Sequence, residues 1–195
     1  QKNMKVLVIQ QRMGIGDMVI FLPYIHAISK KYKIPISVLA KKNSKIDEIC
    51  ANDKHIEEII FLNRNSKRNG LHDGWVGFYK LLKEIKNKNF DKVYIFNGSL
   101  RFLILCRLAR IKSILQYPLF TKKDNIVLTA KYFVQKNTIE IISTQPKIYL
   151  DSIEVQKIKK NINLLMISSI FVLDFLRAVQ QKDGTFKIIL DWQKI

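Results

Sequence analysis

Lys5-Val-Leu-Val-Ile-Gln-Gln-Arg-Met-Gly-Ile-Gly-Asp17, followed by helical apolar spacing from Met18 to Tyr32, decides the fold. Lys5–Ile9 is a short apolar run bounded by a glycine-containing loop, the pattern of a buried strand. Gln10–Asp17 turns the chain, and the helix after it ends in Lys30-Lys31. The same alternation continues outward. Ile34–Ala40 reads as a second strand, Ser44–Ala51 as a short helix and Ile56–Leu62 as a third strand. Asn63–Gly74 is a polar loop, and Trp75–Lys88 is a helix with basic and apolar faces. Asp91–Phe96 is a fourth strand, closed by the turn Asn97-Gly98. Ser99–Arg110 is an apolar helix, Ser113–Tyr117 a fifth strand, Asp124–Asn137 a further helix, and Ser152–Asn161 a shorter one opening on a serine cap. Strands alternating with helices predict an α/β fold with a doubly wound parallel sheet. Ligands of such sheets sit beyond the carboxyl ends of the strands. That singles out two loops, residues 10–17 and 97–101.

The chain has 195 residues, 48% of them hydrophobic, with 34 Lys+Arg against 16 Asp+Glu and a net charge of +18. This is enough apolar chain to bury a core, which excludes a disordered protein. No run of 18 apolar residues exists, so no spanning helix is expected. No apolar segment follows Gln1-Lys2-Asn3-Met4, so no signal peptide is expected, and Met4 is a candidate start. Of the cations 27 are Lys and 7 are Arg, alongside 30 Ile, 13 Asn and 6 Ala. Lys, Ile and Asn have A/T-rich codons and the scarce Ala has G/C-rich ones, so genome composition accounts for part of the basicity. The positive field still favours anionic partners. Arg clusters and interleaved aromatics are sparse, which argues against nucleic acid. Cys50 and Cys106 form no CxxC and read as buried thiols in a reducing compartment. His26, His55 and His72 lack metal-ligand spacing, so no metal site is expected.

The first loop excludes two cofactor classes. Gly14-x-Gly16 begins a dinucleotide fingerprint, but Val19 stands where the third glycine belongs. The second strand ends in Ala40-Lys41-Lys42, with no acid to hold a ribose. No GK[ST] follows, so the loop is not a P-loop. What remains is Gly-x-Gly-Asp at a helix start. Glycines let the chain turn tightly and let a ligand approach. Asp17 at the helix N-terminus is favoured in its ionised form by the dipole. The residues alone leave two roles open for it, a general base or a helix cap.

The segment from Lys5 to Ile28, with Gly16-Asp17 and Leu22-Pro23, resembles the start of glycosyltransferase family 9, the ADP-heptose:lipopolysaccharide heptosyltransferases. A second stretch, Phe90-Asp-Lys-Val-Tyr-Ile-Phe-Asn-Gly-Ser-Leu-Arg101 with Arg107 and Arg110 after it, resembles a later strand, turn and basic helix of that family. The resemblance covers about residues 4–160. It implies a Rossmann-like domain, the N-terminal, acceptor-binding half of a GT-B glycosyltransferase. It implies inverting transfer from an ADP-sugar to a lipid-linked lipopolysaccharide core acceptor, with no metal or other cofactor. Asp17 would take the proton of the acceptor hydroxyl. Asn97, Gly98, Ser99 and Arg101 would line the acceptor side beside Gly14 and Gly16, and Arg12 would meet an anionic group. Read without the family, Ser99 is equally a helix cap, and Arg12 and Arg101 are equally solvated charges.

A complete family member is about twice as long. Residues 1–165 read as the acceptor-side domain, and 166–195 as a tail foreign to the family. Written with A/T-ending codons, Gln180-Gln-Lys-Asp-Gly184 read from the third base gives Thr-Lys-Arg-Trp. The codons before it permit Ser-Gly-Pro. The family's second half opens similarly, so the tail is expected to be a frameshifted start of the missing nucleotide-sugar domain. A chain without that half is expected to lack transferase activity. The expected location is cytoplasmic and peripheral to the inner membrane, with lysines against anionic headgroups. Two other readings stand: a different GT-B sugar transferase, and a non-catalytic basic domain for nucleic acid or another anionic polymer.

Overall fold

β1 (Val6–Gln10) is buried along its whole length, so it must lie at the centre of a sheet covered on both faces. The computed structural model describes residues 4–12, 14–65, 67, 69–118, 125–141, 143–149 and 156. The chain divides into two compact units, Gln1–Tyr149 and Leu150–Ile195, and the sheet with its helices belongs to the first. The helix expected over Ser152–Asn161, the boundary at 165/166 and the tail 166–195 lie outside the described residues.

The elements after β1 are α1 (Ile15–Tyr32), β2 (Ile36–Ala40), a 3-10 turn at Lys42–Ser44, α2 (Ile46–Ile49) and β3 (Ile56–Phe61). Then come α3 (Gly74–Lys88), β4 (Lys92–Ile95), α4 (Leu100–Leu108), β5 (Ser113–Gln116) and α5 (Ile126–Lys136). The strands form one parallel sheet in the order β3-β2-β1-β4-β5. This is the expected doubly wound sheet, and it has the α/β, Rossmann-like form.

Alternating side chains of β1 feed two cores. Val6 and Val8 face Phe21, Leu22 and Ile25 of α1 and Ala130 and Phe133 of α5. Leu7 and Ile9 face Leu81 and Ile85 of α3 and Phe102 and Leu105 of α4. Burying each such side chain contributes about 1.5–3 kcal/mol. Both cysteines are free and buried, as expected. Burial raises both thiols to about 12, Asp53 adding to it at Cys50, which leaves them chemically inert.

The element ends differ from expectation for local reasons. Lys33 adopts the left-handed conformation (φ 56°) to close α1, and Pro35 has no N–H to give a ladder, so β2 starts at Ile36 rather than Ile34. The helix expected over Ser44–Ala51 shrinks to α2, because Lys45 at φ 53° separates it from the 3-10 turn. At its start α1 extends three residues further than the apolar spacing, taking Gly16 and Asp17 into its first turn.

Candidate active site at the reversal of strand order

Strand order reverses between β1 and β4. From β1 the chain crosses to β2, and from β4 it crosses to β5 in the other direction, so the loops at their carboxyl ends part and leave a crevice. The two loops singled out in the sequence are the two walls of that crevice.

The first wall is residues 11–17. Gln10 Oε1 accepts a hydrogen bond from the Arg12 backbone N–H. Gly14 is extended (φ −84°, ψ 150°), and its carbonyl accepts the Met18 N–H at 3.1 Å, which starts α1. Asp17 lies in the first turn with its side chain 28% exposed, and α1 has no side-chain cap. The N-cap position is a glycine, so Asp17 is not the cap residue of α1. Arg12 Nη1 stands 3.7 Å from Asp17 Oδ1. That is longer than a hydrogen bond, and an exposed pair of this kind contributes about 0–1 kcal/mol. A Cβ built on Gly14 would lie 3.4 Å from Asp17 Oδ2, and one on Gly16 would meet nothing within 4 Å. A side chain at Gly14 would thus stand in van der Waals contact with the carboxylate, and the space at Gly16 is open.

The second wall is residues 96–99. Asn97 Oδ1 accepts from the Ser99 N–H at 2.9 Å, and Gln116 Nε2 donates to the carbonyls of Asn97 and Ser99, each at 3.0 Å. The loop is pinned to β5 through one amide. Ser99 stands at the N-cap position of α4, yet its side chain makes no capping bond. Arg101 is engaged elsewhere. Its Nη2 donates to the carbonyls of His72 (2.9 Å) and Gly74 (3.1 Å), and its guanidinium lies over the Phe78 ring at 4.9 Å. Burial first, and then the Arg64 charge, lower its pKa. The structure therefore brings Arg12, Gly14, Gly16 and Asp17 to one wall and Asn97, Gly98 and Ser99 to the other. It places Arg101 as a brace between the starts of α3 and α4.

Four buried polar atoms have no hydrogen-bond partner among the described residues: Gln10 Nε2, Asn97 Nδ2, Arg101 Nε and the Tyr117 hydroxyl. Gln10, Asn97 and Tyr117 stand at the carboxyl ends of β1, β4 and β5. Sequence reasoning missed Gln10, Gln116 and Tyr117. The one available signal was a polar residue ending an otherwise apolar strand on the side where ligands bind.

Along the same edge, the ends of β1, β2 and β3 enclose a cavity of about 710 Å³ lined by Gln11, Lys41, Lys42, Asn43, Asn63 and Arg64, among others. Its lining carries three cations and no acid. Among the described residues no group of three His, Cys, Asp or Glu is placed to hold a metal, and no helix is long and apolar enough to cross a membrane.

No protein-family model and no curated protein sequence matches the chain. Its fold matches solved structures. A glycosyl transferase family 9 protein from Veillonella parvula matches with a TM-score of 0.59 at 15% identity, over 78% of this chain and 47% of that one. The E. coli heptosyltransferase WaaC, solved with ADP-2-deoxy-2-fluoro heptose, matches with a TM-score of 0.53 at 15% identity, over 74% and 51%. E. coli ADP-heptose lipopolysaccharide heptosyltransferase II matches with a TM-score of 0.51 at 16% identity, over 76% and 47%. The chain spans about half the length of each of these structures. The resemblance read from the sequence thus holds at the level of fold: the chain has the α/β, Rossmann-like fold of the N-terminal half of GT-B heptosyltransferases.

Proposed function

We propose that this chain is the acceptor-binding half of a heptosyltransferase-like glycosyltransferase and that Asp17 is its general base. The observation that carries the reading is the accessible Asp17 carboxylate in the first turn of α1, at the reversal of strand order, with the bare backbone of Gly14 beside it. In the reaction, the acceptor hydroxyl gives its proton to Asp17. The freed oxygen forms a bond to the anomeric carbon of the ADP-sugar. The bond from that carbon to the diphosphate oxygen breaks, and ADP departs with inversion at carbon. No metal or other cofactor takes part in this scheme. Gly14, Gly16, Asn97, Gly98 and Ser99 line the acceptor's path, and Arg12 meets an anionic group on acceptor or donor.

The acceptor on this reading is a lipid-linked lipopolysaccharide core saccharide, reached at the cytoplasmic face of the inner membrane. The basic cavity beside the crevice suits anionic groups of such an acceptor. α3 exposes Trp75 and Tyr79 beside Lys80 and Lys83, side chains suited to a peripheral contact with anionic lipid. The ADP-sugar would be held by a second half. Catalysis across a cleft needs both reactants held in place, so the 195-residue chain alone should give no turnover with ADP-heptose and a truncated acceptor.

The test is Asp17→Asn in a protein carrying both halves. Turnover should fall about a hundred- to ten-thousand-fold, with ADP-sugar binding retained. Unchanged turnover would overturn the reading. The net charge of +18 and the basic cavity favour one rival, a non-catalytic domain for nucleic acid or another anionic polymer. That rival requires affinity falling steeply with salt and indifferent to Asp17→Asn.

A further inference from the structure

We propose that Gln10, Asn97 and Tyr117 form the floor of the acceptor subsite and read the oxygen atoms of a saccharide; the proposal rests on the acceptor-side reading of the chain. The register places these residues together. Phe96 N–H bonds to the Ile9 carbonyl and Tyr117 N–H to the Ile95 carbonyl, so Gln10, Phe96 and Tyr117 stand at one level on three adjacent strands. Side chains alternate along a strand, so residues two apart share a face. Val8, Tyr94 and Leu115 all belong to the core beneath α1 and α5, which puts Gln10, Phe96 and Tyr117 on that same face. α1 begins above them with Asp17. Asn97 follows Phe96 at the rim.

Each of the three is held in place by contacts that leave one polar atom unused. Gln10 is 1% exposed, and its Oε1 is engaged by the Arg12 N–H while its Nε2 has no partner. Asn97 Oδ1 is engaged by the Ser99 N–H, and its Nδ2 has no partner. Tyr117 is clamped by Phe96 and Phe133, with edge-to-face ring centroids at 5.6 and 4.9 Å, and its hydroxyl has no partner. Burying a polar group without a partner costs about 1–3 kcal/mol. Three such atoms at one end of one sheet, with every carbonyl partner fixed, make a preorganised set of donors. Donors of this kind suit the hydroxyl and ring oxygens of a sugar and set which hydroxyl faces Asp17.

The experiment uses the 195-residue chain, a deacylated lipopolysaccharide inner-core oligosaccharide as probe, calorimetric titration and a thermal melt. The variants are Tyr117→Phe and Gln10→Met. Losing one neutral hydrogen bond should weaken binding about three- to tenfold per variant. Tm should hold or rise in Tyr117→Phe, because the hydroxyl it removes has no partner among the described residues. Unchanged affinity in both variants, with the parent chain binding, overturns the subsite and leaves the acceptor-side reading standing. A fall of several degrees in the Tm of Tyr117→Phe also overturns it, since the hydroxyl would then serve the fold. No binding by the parent chain overturns both.

Discussion

Two clusters of buried polar groups at opposite ends of the same sheet differ in how far they are satisfied. At the amino end, His26 Nε2 donates to Asp53 Oδ2 at 2.5 Å, and the His55 N–H donates to Asp53 Oδ1 at 2.9 Å. Ser29 Oγ donates to the Ile34 carbonyl at 2.7 Å and lies 3.1 Å from His55 Nδ1, while the two imidazole centroids lie 4.9 Å apart with the rings tilted by 41°. Every one of these groups has a partner, and together they tie α1 to the loop before β3. At the carboxyl end, Gln10, Asn97 and Tyr117 each keep a buried atom without one. Buried titratable residues alone would have pointed to the histidine cluster. Satisfaction of their hydrogen bonds shows it to be structural, and the unsatisfied donors at the other end are what a ligand is needed to complete.

The sharpest way to break this contrast is at Asp17. In a protein carrying both halves, Asp17→Asn should lower turnover about a hundred- to ten-thousand-fold without changing Tm by more than a degree or so, because its one ion pair is long and exposed. Asp53→Ala should do the reverse. Leaving His26 buried without its partner should lower stability by about 3 kcal/mol or more, and Tm by about 6–12 °C, with turnover per folded molecule retained. A thermal melt and an assay corrected for folded fraction separate the two outcomes.

Acid should act on both ends of the sheet, because burial lowers His72 near the end of β3 as well as His55 at the amino end. His55 lies below its ordinary 6.5, through burial and then the neighbouring His26 charge. The unfolded chain therefore takes up that proton before the folded one does. The stability His55 carries is complete above about pH 6.5 and is lost as pH falls through its lowered value. Asp53 follows. Burial would raise its carboxyl, but the His26 bond and the His55 N–H outweigh that and hold it below 3.8. Its contribution is complete above that pH and is lost on further acidification. Urea unfolding measured across this range should show two descents, and Asp53→Ala should shrink the lower one, in which Asp73 also takes part. The smallest effect is expected from Tyr117→Phe, whose Tm should stay within about a degree of the parent or rise slightly.

Much of the fold was legible because apolar runs and glycine loops alternate cleanly. β1, the loop to Asp17 and α1 follow from residues 5–32, and the five strands and their parallel order follow from the repeat of that unit. The loops 10–17 and 97–101 were legible as walls because a doubly wound sheet binds at its carboxyl ends. Positive-φ closures at Lys33 and Lys45 were not, since a lysine carries no sign of the left-handed conformation. Arg101 resembles a substrate contact, but its partners are the carbonyls of His72 and Gly74 at the start of α3, 29 and 27 residues away in sequence, a pairing no local pattern encodes. Gln10 reads as a loop residue and Tyr117 as a strand end, because their significance lies in a shared level on three strands and in the lack of a partner among the described residues.

The most direct test of the central claim is amide chemical-shift mapping of the 195-residue chain titrated with a deacylated lipopolysaccharide inner-core oligosaccharide. The account predicts saturable shifts concentrated in residues 10–17 and 96–101, with Asp17 and Asn97 among them and the His26–Asp53–His55 cluster silent. No saturable shifts, or shifts confined to the histidine end of the sheet, would contradict it.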